Sequence, residues 1–146
     1  MRKKGIQIGT GCTFRNRGTI RIDITRPSLV TIGDNVDFNM NFQLLTHDYA
    51  TSVFIRKYGE FINSSGRVKI GNNIVFGTNC IVLKGVEIGD NCIIGAGSIV
   101  SKNIPSNSVA VGRPAKVICS VDEFHERRKK ECVFEAFEYA NSIRER

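Results

Sequence analysis

The chain is poor in the residues from which many catalytic and metal sites are built. It has 146 residues, of which two are histidine and none is tryptophan. Two histidines cannot supply a metal site made of three His ligands, and no GxSxG segment is present to form the elbow of a serine hydrolase. Zinc-finger and helix-turn-helix spacings are also missing. We therefore expect no bound metal and no nucleic-acid partner.

The cysteines and the first residues indicate where the protein works. The five cysteines are an odd number without a CxxC pair. The opening Met1-Arg2-Lys3-Lys4 is not followed by the apolar run of a signal peptide. Because disulfides persist mainly in oxidising compartments, this pattern is typical of the reducing cytosol. We predict a cytoplasmic protein with no membrane partner.

A period of six residues runs through the middle of the chain. Every sixth residue is Ile, Phe or Val, in the series Ile70, Phe76, Val82, Ile88, Ile94 and Val100. Three places later stands a residue that adopts positive φ at low cost, in the series Asn73, Asn79, Gly85, Asn91, Gly97 and Asn103. One place further comes a small or apolar series, namely Ile74, Cys80, Val86, Cys92, Ser98 and Ile104. The pattern predicts short strands joined by sharp corners, with two inward-facing residues per step.

Self-similarity at this period is typical of a β-solenoid of hexapeptide repeats. Three steps make one coil of about 18 residues, so each strand stacks on the strand one coil later at roughly 4.8 Å. The same phase can be followed upstream through Ile8, Phe14 and Ile20, and then through Ile32, Phe38 and Leu44. Cys12, Cys80 and Cys92 fall one place after a corner, where free cysteine behaves as a small apolar residue.

Two segments depart from the period. The stretch 49–66 lacks the repeat and carries four aromatic residues, which predicts a functional loop protruding from the solenoid. After Ile118 the period changes, and Ser120-Val121-Asp122-Glu123 has the spacing of a helix capping box. The predicted helix has candidate apolar positions at Phe124, Phe134, Phe137 and Ala140. We expect a β-helix domain over residues 1–119 and a C-terminal helix over residues 120–146.

Charge gives a weaker indication of function. The net charge is +7, and the excess of Lys and Arg lies in residues 1–119. Such a field suits a phosphate-rich ligand, although it also serves solubility. The basic run Arg127-Arg128-Lys129-Lys130 is surrounded by glutamates, which is typical of a solvated helix face.

His47 is the candidate general base. It stands three places after Leu44, in the slot that Asn or Gly fills at the other corners, and it precedes the 49–66 loop. Imidazole can accept a proton near neutral pH, which is what activation of a hydroxyl or amine requires. Histidine is also enriched at positive φ, so His47 has a purely structural interpretation as a corner residue. His125 lies among charges in the predicted helix and is interpreted as a surface residue.

Several segments taken together resemble the hexapeptide-repeat acyltransferases, and among them the maltose, galactoside and capsular-polysaccharide O-acetyltransferases. These segments are Ile70-Gly71-Asn72-Asn73, Ile88-Gly89-Asp90-Asn91, Ile94-Gly95-Ala96-Gly97-Ser98, Val100-Ser101-Lys102-Asn103-Ile104-Pro105 and Val111-Gly112-Arg113-Pro114-Ala115-Lys116-Val117-Ile118. The resemblance covers about residues 30–118. It implies a left-handed parallel β-helix that forms a homotrimer, with acetyl-CoA in the grooves between subunits and an acetyl group transferred to a sugar or glycan hydroxyl.

The resemblance also implies roles for particular residues. The catalytic histidine of the family falls on His47. The cofactor contacts fall on Thr78, Ala96, Ser101 and Lys116. Lys102 and Arg113 are expected to be cationic neighbours of the cofactor phosphates.

The acceptor and the group that orients His47 stay open. Galactoside-type relatives carry a tryptophan where this chain has Val75, and an asparagine that Asn16, the nearest one here, does not match in register. An N-acetyltransferase of an amino sugar or xenobiotic and a non-catalytic β-helix scaffold remain alternatives. Asp34, Asp37 and Asp48 are the carboxylates considered as partners of His47.

Overall fold

Fourteen short strands and two helices make up the part of the chain that the structure describes. The structure is a computed structural model that describes residues 5–144, with side chains as far as Cys132. The strands, in chain order, are β1 (Gln7–Ile8), β2 (Thr13–Phe14), β3 (Arg21–Ile22), β4 (Val30–Ile32), β5 (Val36–Phe38), β6 (Gln43–Leu44), β7 (Val68–Ile70), β8 (Ile74–Phe76), β9 (Ile81–Val82), β10 (Glu87–Ile88), β11 (Cys92–Ile94), β12 (Ile99–Val100), β13 (Ser108–Gly112) and β14 (Ala115–Ser120). The helices are α1 (Thr51–Tyr58) and α2 (Val121–Arg144).

The strands form three sheets that enclose the core as a three-sided prism. The first sheet has the order β1-β4-β7-β10, the second β2-β5-β8-β11-β13-β14, and the third β3-β6-β9-β12. Among the described strands, every pair is parallel except β13 with β14, which is antiparallel. Three partners were predicted from the repeat and are confirmed: Ile70 with Ile88, Phe76 with Ile94, and Val82 with Val100.

The interior is a column of apolar side chains from both inward-facing series. Its centre is a cluster of aromatic rings, in which Phe38 stacks on Phe14 at 5.0 Å and on Phe76 at 5.5 Å between ring centroids. Phe42 meets Phe38 edge-on at 4.7 Å. Full burial of one such side chain stabilises the fold by about 1.5–3 kcal/mol. This column explains why strands of two or three residues persist.

Two cysteines belong to that column, as the repeat predicted. Cys80 and Cys92 are buried, and Cys12 is partly buried against the core. Burial raises the pKa of the Cys80 and Cys92 thiols, because the thiolate loses its hydration there. Both side chains therefore act as packing residues.

Asparagine and glycine turn the chain at most of the predicted corners. Asn73, Asn79 and Asn91 have φ of 54–61°, and Gly97 has φ of 72°. Asn103 was predicted to be a corner residue with positive φ. That prediction is wrong, because Asn103 is not one of the described residues whose φ is positive. In the last coil the stacking interval falls to 16 residues, and the Asn103 side chain accepts a hydrogen bond from the Glu87 N–H at 2.8 Å.

The first half of the prism is less regular than the second. Corresponding positions in adjacent coils are separated by 24, 38, 18 and 16 residues, from the first coil to the last. The upstream phase was predicted wrongly at Ile20, because Ile22 pairs with Leu44. A 3-10 turn at Arg17–Thr19 lengthens the corner before β3, so that Ile22 occupies the slot in line with Leu44, while Ile20 is buried beside it in the core.

The segment 49–66 contains α1, a helix that the sequence pattern did not reveal. Gly59 ends the helix with φ of 69° and donates its N–H to the Ile55 carbonyl at 2.9 Å. None of the helix residues is buried, and Tyr49 and Phe61 on either side are exposed. The segment is therefore a loop that contains an exposed helix.

The C-terminal helix begins with the predicted capping box. Glu123 N–H donates to Ser120 Oγ at 3.1 Å, and Ser120 N–H donates to Glu123 Oε2 at 2.9 Å. Phe124 is partly buried. The other predicted apolar positions, Phe134, Phe137 and Ala140, lie outside the described side chains.

Candidate active site

His47 lies where the chain leaves the third sheet and enters the 49–66 segment. It forms an antiparallel bridge with Ser65, and Thr46 accepts the Gly66 N–H at 2.9 Å. These contacts close the base of the segment and fix the backbone on both sides of the histidine. His47 is not among the described residues with positive φ, so its interpretation as a left-handed corner residue is wrong.

A carboxylate from the preceding coil holds the His47 ring. His47 Nδ1 lies 2.7 Å from Asp23 Oδ2, and the two side chains are 13% and 6% exposed. The Thr25 N–H and hydroxyl donate to Asp23 Oδ1 at 2.9 and 2.7 Å, and the Thr46 hydroxyl donates to Oδ2. Burial alone would raise the pKa of the Asp23 carboxyl, but hydrogen bonds from Thr46, Thr25 and His47 outweigh it and hold the pKa well below its ordinary value.

An ionised Asp23 determines which nitrogen of His47 is basic. A carboxylate only accepts hydrogen bonds, so the nitrogen facing it, Nδ1, carries the proton in the neutral ring. The lone pair is then on Nε2. No hydrogen-bond partner of Nε2 is found within residues 5–144. The imidazole is thus oriented as a base, with Tyr49 packed edge-on against it at 5.1 Å.

The three carboxylates considered from the sequence are engaged elsewhere. Asp48 pairs with Lys84 and accepts the Ala50 N–H at 3.0 Å. Asp34 accepts the Thr10 N–H at 2.6 Å, and Asp37 accepts the Thr13 hydroxyl.

Sequence reasoning missed Asp23, because the residues around it do not show which isoleucine continues the repeat. Asp23 follows Ile22, and Ile22 pairs with Leu44, so Asp23 lies one coil before the chain that leads into His47. Placing Ile20 in the repeat, rather than Ile22, shifted this carboxylate out of register.

Two open cavities meet at His47. The larger, of about 810 Å³, runs along the outer side of the third sheet and is lined by residues including Arg21, Gln43 and Leu45. The smaller, of about 500 Å³, lies under the 49–66 segment and is lined by residues including Arg26 and Phe61. Both volumes fall in the range of small-molecule sites. One ring can therefore face two ligands at once.

Three of the predicted cofactor residues lie on the edge between the second and third sheets. Thr78 follows β8 and accepts the Gly97 N–H at 2.7 Å, which places Ala96 directly over it in the next coil. The Arg113 Nε donates to the Gly97 carbonyl at 2.6 Å. These residues form a ladder that rises along the prism axis by one coil, roughly 4.8 Å, at each step.

The remaining predicted residues lie elsewhere in this chain. Ser101 and Lys102 follow β12 on the edge between the third and first sheets. That edge also holds Lys84 and His47, which follow β9 and β6. Lys116 is exposed on β14, at the end of the second sheet. Within one chain the structure therefore brings Ser101 and Lys102 to the His47 edge and leaves Thr78, Ala96 and Arg113 across the third sheet.

Among the described side chains, which are those of residues 5–132, no group of three His, Cys, Asp or Glu is arranged to hold a metal ion. No helix within residues 5–144 has both the length and the apolar character needed to cross a membrane.

Comparison with known proteins gives the same assignment of the repeat. The family described as bacterial transferase hexapeptide (six repeats) matches residues 67–102. Protein CapG of Staphylococcus aureus is 43% identical over 126 residues, which cover 85% of this chain and 71% of that protein. Galactoside O-acetyltransferase of Escherichia coli K12 is 40% identical over 114 residues, covering 78% of this chain and 53% of the enzyme. The chain thus spans about half the length of that enzyme.

One solved structure is similar to this chain in both sequence and fold. The maltose O-acetyltransferase from Clostridium difficile 630 is 32% identical and superposes with a TM-score of 0.56, covering 79% of this chain and 66% of that one. The left-handed parallel β-helix implied by the resemblance is thereby confirmed. From the hexapeptide match and the similarity to CapG, the chain belongs to the hexapeptide-repeat acyltransferase family.

Proposed function

We propose that the protein transfers an acetyl group from acetyl-CoA to a hydroxyl group of a sugar or polysaccharide precursor, with His47 as the general base. The observation that carries this proposal is the 2.7 Å contact between His47 Nδ1 and Asp23 Oδ2. It leaves Nε2 as a base at the point where two cavities meet. The names of the galactoside and maltose relatives support acetyl transfer to a sugar hydroxyl.

In the proposed reaction, His47 Nε2 removes the proton from the acceptor hydroxyl as its oxygen attacks the thioester carbonyl. A carbon–oxygen bond forms and the carbon–sulfur bond breaks. The imidazolium then returns the proton to the leaving thiolate, so that the products are the acetyl ester and free CoA. Asp23 touches neither substrate in this scheme. It acts as a positioning residue that holds the ring and stabilises the imidazolium.

The donor is proposed to lie parallel to the prism axis, between two copies of the chain. The ladder of Thr78, Ala96 and Arg113 and the edge with Ser101 and Lys102 face away from each other across the third sheet of one prism. A donor between neighbouring prisms reaches one edge of each copy. This arrangement favours the homotrimer that the resemblance implies.

Lys102, Arg113 and Lys116 are the proposed cationic contacts for the donor phosphates. All three are exposed, and Lys102 and Lys116 have no salt-bridge partner among the residues described. Lysine binds phosphate as a point charge, whereas the Arg113 guanidinium has further N–H groups besides the Nε that binds Gly97.

The test is release of the CoA thiol from acetyl-CoA, measured over a panel of sugars and amino sugars. We expect His47→Ala to lower the rate by roughly 100-fold or more, as for loss of a general base. His125→Ala is the matched control, since it removes the one other histidine, on an exposed face of α2. A change under about threefold for His47→Ala would exclude His47 as the base. Acetylation of amines alone would identify an N-acetyltransferase instead.

A further inference from the structure

The smaller cavity beside His47 contains a cation without a counterion. Arg26 is partly buried in its wall. The structure gives its guanidinium no ion pair and no hydrogen bond to any residue in the range 5–144. Removing a guanidinium from water without compensation is costly, because its charge and five donors lose their hydration. A ligand with negative charge would provide that compensation.

The acidic side chains nearest this cavity already have partners in the form of hydrogen bonds or an ion pair. Asp48 lines it, but its two oxygens bind Lys84 and the Ala50 N–H. Asp23 lies behind His47 and accepts hydrogen bonds from two threonines and the imidazole. The described part of the chain therefore offers Arg26 no free carboxylate in this cavity.

A second polar group in the same wall also has no partner. Thr51 Oγ1 is buried, and it is the one buried side-chain nitrogen or oxygen atom of the described residues that has no hydrogen bond. Thr51 is the first residue of α1 and lines the cavity together with Ser52. Since nearly all buried polar groups in folded proteins are hydrogen-bonded, such an atom marks a place where a ligand oxygen is expected.

We propose that this cavity selects an acceptor that carries an anionic group, which pairs with Arg26 while the reacting hydroxyl faces His47. The shared chemistry is a fork of negatively charged oxygens, from the carboxylate of an acidic sugar or the phosphate of a phosphorylated sugar. Thr51 donates a hydrogen bond to the same acceptor. The exposed rings of Tyr49 and Phe61 lie on the apolar faces of the sugar. This inference rests on the proposed function and adds the charge of the acceptor to it.

The test compares three probes that differ in charge at one position: galacturonic acid, galactose 6-phosphate and galactose. We expect kcat/KM to be about 10-fold or more higher for at least one of the anionic probes than for galactose. Arg26→Gln removes that preference, so that charged and neutral probes give similar values of kcat/KM. Arg26→Lys keeps the charge but loses the fork, and retains part of the preference. The matched control is Arg56→Gln, which removes the same charge from an exposed position on α1.

Equilibrium binding of the same probes, measured by isothermal titration, does not depend on turnover. We expect Arg26→Gln to abolish the difference in Kd between charged and neutral probes, and Thr51→Val to weaken binding while leaving Tm unchanged or higher, because it removes a buried hydroxyl without a partner. Equal Kd values for charged and neutral probes with the unaltered protein would overturn the inference. So would a preference that Arg26→Gln leaves intact. If His47→Ala keeps full activity while Arg26→Gln still abolishes anion binding, the proposed base fails and the charge preference stands.

Discussion

The two halves of the prism differ in regularity, and the proposed general base lies in the irregular one. From β7 to β12 the chain repeats every 18 residues, and its corners carry Asn or Gly. From β3 to β7 the chain contains a 3-10 turn at Pro27–Leu29 and the 49–66 segment, and the coil takes 38 residues. Asp23, Arg26 and His47 all belong to this second region.

The comparison shows how one core supports both regions. The strands of the irregular half keep their partners: β4 pairs with β7, and β6 with β9, as regularly as in the other half. The extra residues are inserted at corners, where they do not change the packing of the apolar column. A rigid ladder on either side of an insertion can therefore hold a histidine and a carboxylate from separate coils at hydrogen-bond distance.

The largest expected effect is a loss of stability when a core residue of the regular half is removed. Phe76 is fully buried between Phe38 and Phe42, so Phe76→Ala leaves a cavity at the centre of the column. We expect a loss of about 3–5 kcal/mol in the free energy of unfolding, measured by urea denaturation. Phe61→Ala is the matched control in the 49–66 segment, where the ring is 73% exposed, and should change stability by less than about 0.5 kcal/mol. Equal losses in the two variants would show that the segment is part of the core.

The next effect concerns the irregular half and appears in the reaction rate. Asp23→Asn places an amide group among donors that require an acceptor, and it removes the charge that fixes the His47 tautomer. We expect thiol release to fall by about 100-fold or more, because loss of the carboxylate that fixes the tautomer of a catalytic histidine can cost up to about 10⁴-fold in rate. Asp34→Asn, which alters a carboxylate at a corner of the second coil, should keep the rate within about twofold. A normal rate in Asp23→Asn would mean that the histidine is oriented by its backbone and by Tyr49 alone.

The same carboxylate gives a pH dependence of stability. Its pKa in the folded protein is below the ordinary value of 3.8, so its ionised form is stabilised by folding. That contribution is complete above about pH 4 and declines as the pH falls further. The free energies of unfolding of the unaltered protein and Asp23→Asn should differ by about 1.5–3 kcal/mol near neutral pH, and the difference should shrink below about pH 4. A gap that widens with acid would have the wrong sign for a depressed pKa.

The smallest expected effect is on donor binding at the last coil. Lys116→Ala should raise the Kd of CoA about threefold to tenfold, because one exposed charge near a phosphate is screened by solvent, and should leave kcat nearly unchanged. Lys130→Ala, on the exposed face of α2, is the control. An unaltered affinity for CoA in Lys116→Ala would exclude it as a phosphate contact.

Most of what could be predicted of the fold from the sequence followed from the six-residue repeat. The period of six places Ile70 over Ile88 and puts Cys80 and Cys92 inside, because the same geometric slot recurs in each coil. The capping box at Ser120 depends only on local spacing and was found for the same reason. His47 was identified as the candidate base through its position at the start of the insertion.

What the sequence did not reveal depends on departures from the period. A turn of two additional residues before β3 moved Asp23 into place beside His47, and nothing in the local residues marks that shift. Asn103 resembles a corner but uses its side chain to replace a backbone acceptor. The helix α1 has only eight residues, none of them buried, and so short an apolar pattern does not distinguish a helix from a loop.

The most direct test of the account is the tautomer of His47. Because the chain has two histidines, a ¹⁵N spectrum of His125→Gln contains the ring signals of His47 alone. We predict that the neutral ring carries its proton on Nδ1 and shows an unprotonated Nε2, and that Asp23→Asn weakens this preference. A neutral ring protonated mainly on Nε2 would contradict the account, since the nitrogen facing the cavities could then accept no proton from a substrate.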